Sequence, residues 1–144
     1  MYNLGERRNQ PGRNYRKMKP GTAIISFSFS TKTCFFEEIT KMLGLSPSET
    51  LILKTGGFYW NYEIKLENVY YTTTLIKKLM KVLKRKTDII RQIALTYDAK
   101  VNIEFVLYHP RDTIGIIFPH NFIMFVDKCG ASISIDQYMW EWED

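Results

Sequence analysis

The sequence predicts an α+β fold: one mostly antiparallel or mixed sheet of about five strands with helices on one face, in the order βαβαββαβ. Three observations predict it. Ala23, Ile25, Phe27 and Phe29 alternate with Ile24, Ser26, Ser28 and Ser30, the period of two that gives a strand one apolar and one polar face. The spacing then changes to helical, with Phe35, Ile39, Met42 and Leu43 running up to Gly44. Every clear strand keeps a polar face, whereas parallel strands buried on both sides read as unbroken apolar runs.

The elements follow in order. Strand one spans residues 23–30. Thr33 offers an N-cap for helix one, and Gly44 offers its left-handed stop. Ser46-Pro47 turns the chain, residues 50–54 form a short extended piece, and Gly56-Gly57 punctuates. In the next strand Phe58, Trp60, Tyr62, Ile64 and Leu66 share one face; Tyr59, Asn61, Glu63, Lys65 and Glu67 share the other. A helix over residues 73–85 has Leu75, Ile76, Leu79, Met80 and Leu83 as its buried stripe and five cations as its wet side. Asp88 opens a short helix carrying Ile89, Ile90 and Ile93. Val101, Ile103, Phe105 and Leu107 alternate as a strand, and residues 109–112 read as a hairpin turn into a strand over residues 113–118. Pro119 starts a helix that Gly130 stops, and Ala131, Ile133 and Ile135 form the last strand. The segments FEEITKMLG and FIMFVDKCG share a short pattern that suggests an internal duplication.

Residues 1–20 read as a basic arm, and residues 21–144 as one domain ending in an acidic, Trp-containing tail. The chain has 144 residues and a net charge of +5. Arg7, Arg8, Arg13, Arg16, Lys17 and Lys19 against Glu6 place that whole excess in the arm. Met18, just before strand one, offers an alternative start. Apolar residues make up 45% and aromatic residues 15%, which excludes a disordered chain. No run reaches the ~18 apolar residues of a membrane helix, and the Arg-rich start does not resemble a secretory signal. The expected location is therefore the cytoplasm. Cys34 and Cys129 both fall in predicted helices and lack metal-ligand spacing, which agrees with that location.

No catalytic constellation stands out. A P-loop, a dinucleotide fingerprint, paired zinc ligands and a nucleophile elbow are all missing, so no enzyme activity and no cofactor is implied. His109 falls in a predicted turn and His120 in the first turn of a helix, each without a positioned carboxylate. Cys34 in the first turn of helix one would have a lowered pKa, but Glu37 and Glu38 oppose its thiolate. Those two glutamates suit a helix N-terminus. The lysines of the second helix suit a solvated face.

Two surfaces remain. The sheet face away from the helices should be open, presenting Ser26, Ser28, Ser30, Asn61, Glu63, Lys65, Glu67, Asn102, Glu104, Ser132 and Ser134. Of these, Ser28, Asn61, Glu63, Lys65 and Glu104, with Trp140 and Trp142 of the tail, are the candidate partner-binding residues. The tryptophans supply contact area for a partner protein or a second copy in a homodimer. The alternative is nucleic-acid binding through arm residues Arg7, Arg8, Arg13, Arg16, Lys17 and Lys19. Bases would find few aromatic platforms on the sheet, since Tyr59 and Tyr108 sit at strand ends.

Residues Ile24 to Phe29, then Glu38-Ile39-Thr40-Lys41-Met42-Leu43-Gly44-Leu45-Ser46-Pro47, resemble the opening of the bacterial domain-of-unknown-function family numbered 4279. Gly56-Gly57 and Trp60 match its glycine and tryptophan strand. Residues Ile133 to Tyr138 are similar to its closing segment. The likeness covers residues 22–138 and leaves out the arm and the tail. It implies a small bacterial or phage protein and transfers no catalytic residue. The expected function is a non-enzymatic protein-binding domain; by analogy with small orphan proteins, its role would be that of an inhibitor or an immunity or anti-defence protein.

Overall fold

A computed structural model of the chain describes residue 19, residues 21–109 and residues 113–139. Arm residues Arg7, Arg8, Arg13, Arg16 and Lys17 and tail residues Trp140 and Trp142 lie outside the described residues. Nine elements follow one another: β1 (Ala23–Thr31), α1 (Phe36–Leu43), β2 (Glu49–Ile52), β3 (Phe58–Leu66), α2 (Thr72–Leu83), α3 (Thr87–Tyr97), β4 (Lys100–Tyr108), α4 (His120–Cys129) and β5 (Ser132–Tyr138).

The five strands form one mixed sheet in the order β2-β3-β1-β4-β5. β1 lies at its centre, antiparallel to β3 and β4. β2 pairs antiparallel with β3, and β5 pairs parallel with β4. A parallel neighbour needs a crossover, and α4 supplies it. The expected α+β class with a mostly antiparallel sheet therefore holds.

The apolar alternation seen in the sequence sets the layers. Ala23, Ile25, Phe27, Phe29, Trp60, Ile103 and Phe105 point to one side and form a single cluster with Ile39, Leu75, Leu79, Ile90, Ile93 and Phe122 of the helices. Register brings Phe29 opposite Trp60 and Phe27 opposite Tyr62, so the strand-three face pairs with strand one as its pattern requires. Trp60 also donates its indole N–H to Thr40 Oγ1 at 3.0 Å, which ties α1 to β3.

Some local expectations change. The short extended piece is a true strand, β2, because its backbone finds β3 as a partner. Residues 113–118 form no strand; only Gly115 bridges to Tyr71. Their alternation is not matched by burial, since Ile114 is buried while Ile116 and Ile117 are exposed. The segment is held by side chains instead. Thr72 Oγ1 donates to the Ile117 carbonyl and accepts from the Ile117 N–H, both at 2.8 Å. One strand is thus gained and one expected strand lost, and the observed order is βαββααβαβ.

Thr33 is not a cap, since α1 starts at Phe36 with Phe35 at the N-cap position and no side-chain capping bond. Thr33 instead accepts the Thr31 hydroxyl on its carbonyl at 2.7 Å. Cys34 accordingly lies before the helix and is exposed, while Cys129 is buried in α4. Gly44 and Gly130 do stop their helices in the left-handed conformation, at φ of 67° and 64°. The short helix extends to Tyr97 because Asp98 takes the same conformation, φ 49°.

Candidate binding face

The face of the sheet away from the helices is built by every second residue of each strand, and register arranges them in rows. One row reads Glu49, Asn61, Ser28, Asn102, Ser132 across the sheet. The next reads Glu63, Ser26, Glu104, Ser134, and the third Lys65, Ile24, Val106, Asp136. Tyr59, Ser30 and Lys100 flank the first row. Four carboxylates therefore share this face with two lysines, and the lysines sit towards its two ends.

Hydrogen bonds fix the floor. Asn61 accepts the Tyr59 hydroxyl at 3.0 Å and offers its amide N–H groups to Glu49 at 3.3 Å and Glu63 at 3.5 Å. Asn102 donates to Ser134 Oγ at 3.1 Å, and Ser28 donates to the Asn102 carbonyl at 3.4 Å. The Ser26 hydroxyl finds no hydrogen-bond partner among the described residues.

The structure brings Ser28, Asn61, Glu63, Lys65 and Glu104 together on this one surface, as the strand pattern implies. It corrects the expectation that the surface is open to water. Ser26, Ser28, Asn61 and Glu104 retain only 1, 2, 0 and 3% of their exposure. Asn61 is held by its hydrogen bonds to Tyr59, Glu49 and Glu63. Lys65 and Ser132 remain exposed and mark the rim. Glu49 and Asp136 also belong to the face. The last strand runs on past Ile135, and the Ser132, Ser134, Asp136 alternation was the signal that would have placed Asp136.

Among the remaining candidates, His109 is no turn residue. It is buried, accepts the Ile114 N–H on Nδ1 at 3.0 Å and meets Gln137 Oε1 with Nε2 at 2.7 Å. With Nδ1 accepting, Nε2 carries the proton and donates to Gln137, so the ring acts as a clasp between β4, β5 and residue 114. Lys19 is exposed, with its Nζ 3.8 Å from Glu67. Burial pushes the Cys129 thiol up from the usual 9.0 to about 12, partly countered by Arg91, so it is inert rather than nucleophilic.

A cavity of about 360 Å³ opens at the sheet end between Thr31, Lys32, Gly57, Phe58, Asp98 and Lys100. A groove of about 500 Å³ between α2 and the start of α4 has Ile76 and Met80 on its floor and Lys77, Lys81 and Lys84 on its rim. Neither is lined by histidine or cysteine. Among the described residues no group of three or more His, Cys, Asp or Glu side chains is placed to hold a metal ion. No helix among them is long and apolar enough to cross a membrane.

Comparison with curated proteins and with solved structures finds no match to either. One family model does match, over residues 21–140, which takes in the whole sheet and all four helices. With strand one, the Gly44 helix stop, Trp60 and the closing strand all inside that span, the chain belongs to the family described as Domain of unknown function (DUF4279).

Proposed function

We propose that this is a protein-binding domain whose polar sheet face receives a cationic, extended segment of a partner. The observation that supports this reading is the row structure of the face: Glu49, Glu63, Glu104 and Asp136 set around a floor of serines and asparagines. Carboxylates accept hydrogen bonds and favour guanidinium and ammonium groups, with the bidentate arginine contact strongest. Glu49, Glu63 and Asp136 stay partly accessible around that buried floor, where a chain laid above would meet them. A polyanion would be repelled here, so phosphate binding would need other residues. An inhibitor or immunity role is the biological form this reading favours, because such proteins act by covering a partner.

The test is calorimetric titration of the full-length protein with an arginine-serine peptide and with its glutamate-serine counterpart. Only the basic peptide should bind, and more weakly at higher salt. Glu49→Gln with Glu63→Gln removes two partly exposed charges at ~0.5–1 kcal/mol each, so Kd should rise about 5- to 30-fold. Equal binding of both peptides, or a double variant that binds as the parent does, would refute it.

A further inference from the structure

The lysines of α2 border an apolar channel as well as water. Thr73, Lys77, Met80 and Lys84 follow one another at four, three and four residues, which is one face of a helix. Asn121, Met124 and Lys128 do the same on α4, at three and four residues. Between the two faces lies the groove of about 500 Å³, with Ile76 and Met80 on its floor. A second hollow of about 180 Å³ shares Met80, Lys84 and Asn121 with it and adds Met124, Phe125 and Lys128. The two make one channel beside α2 from Thr73 to Lys84, a length of ~16 Å or about three helical turns. We propose that this channel is a second docking site, which takes an acidic amphipathic helix of a partner protein. It lies on the helix side of the sheet and stands whether or not the polar face binds a cationic segment.

Charge and shape choose this occupant. Lys77, Lys81, Lys84 and Lys128 line the channel, and no Asp or Glu does. All four are exposed, and each carries its charge on an apolar stem that extends the floor. Met80 and Met124 supply adaptable apolar contact, and Met124 is 46% exposed. A strand finds nothing to pair with here. Helix backbones satisfy their own N–H and C=O groups, so the channel offers side chains alone. A helix with aliphatic residues at i, i+3, i+4 and i+7 and acids on its flanks matches both floor and rim. A single-stranded nucleic acid would meet the lysines but little else. The lining holds no arginine, and its one aromatic ring, Phe125, is 3% exposed, so bases gain no stacking platform.

NMR titration of the full-length protein, labelled at its methionine and isoleucine methyls, tests the proposal. The probe is a helical peptide of about 12 residues, with leucine at i, i+3, i+4 and i+7 and glutamate elsewhere. It should shift the Ile76, Met80 and Met124 methyls, leave Ile25 and Ile103 unchanged, and bind more weakly as salt rises. Lys77→Gln, Lys81→Gln and Lys84→Gln together should raise its Kd about tenfold, because three exposed pairs are lost. Met124→Ser should raise it several-fold by removing apolar contact. Both variants alter exposed side chains, and unchanged Ile25 and Ile103 signals certify their fold. No shift at Met80 and Met124 under excess peptide overturns the proposal, as do shifts confined to Ile24 on the sheet face. Two control peptides separate charge from shape. A counterpart with serine for leucine that binds as well shows that charge alone suffices, and a leucine-lysine counterpart that binds as well shows that charge is irrelevant; either overturns the proposal. An oligothymidylate that shifts the same methyls at lower concentration than the peptide reassigns the channel to nucleic acid and overturns it too.

Discussion

Replacing Thr72 with valine isolates the device that holds residues 113–118. Thr72 is fully buried at the head of α2, and its hydroxyl makes both a donated and an accepted bond with the backbone of Ile117, each at 2.8 Å. Valine keeps the shape and removes both bonds. A typical hydrogen bond contributes ~1 kcal/mol net, and a buried group left unpaired costs ~1–3 kcal/mol. Ile117 is half exposed and both bonds are only partly buried, so the low end of that range applies. The expected loss is ~1–2 kcal/mol, read as a fall in the urea midpoint with unchanged slope and a Tm lower by roughly 3–6 °C. Thr72→Ser keeps the hydroxyl but gives up a buried methyl, so its stability falls by a comparable ~1 kcal/mol. Amide exchange separates the two: the Ile117 N–H should exchange faster in Thr72→Val and stay protected in Thr72→Ser. A valine variant that is as stable as the parent, with Ile117 still protected, would refute the reasoning.

The two cysteines should part company. Under native conditions a maleimide labels exposed Cys34 and leaves buried Cys129, and denaturant releases the second thiol; equal labelling of both contradicts the burial. The Cys129 thiol is raised by desolvation from 9.0 to about 12, so the folded state holds its proton after the unfolded state has lost it. The stability this contributes is complete below pH 9 and disappears as pH climbs towards 12; Cys129→Ala should flatten that limb of the stability profile, and an unchanged slope would contradict it. Trp60→Phe removes the bond to Thr40 and part of a fully buried ring packed edge-on against Phe29, with an expected cost of ~2–3 kcal/mol in urea unfolding. A cost below ~0.5 kcal/mol would mean that α1 is not anchored through this contact.

Most of the layer structure was legible because it rests on alternation. Phe27, Phe29, Trp60, Ile103 and Phe105 could be assigned to one side by counting in twos, and Gly44 and Gly130 marked helix ends by their backbone freedom. What failed was decided by partners distant in sequence. Residues 113–118 alternate as well as any strand, yet their backbone is held by Thr72 and His109, contacts that no local pattern encodes. The four residues of β2 carry a weak pattern and still pair, because β3 offers an edge. His109 read as a turn residue; its place in the structure depends on β5 running on to Gln137 and Tyr138. The face itself was found from the same alternation, while its depth was misjudged because periodicity reports direction and not cover.

That distinction connects stability to function. The apolar residues facing the helices form the main core, and Ile24, Val106 and Tyr108 form a separate, smaller cluster on the other face. These three sit nearly dry, and burying an aliphatic side chain of this size contributes ~1.5–3 kcal/mol relative to leaving it wet. The carboxylates around them favour a basic partner and disfavour an acidic one.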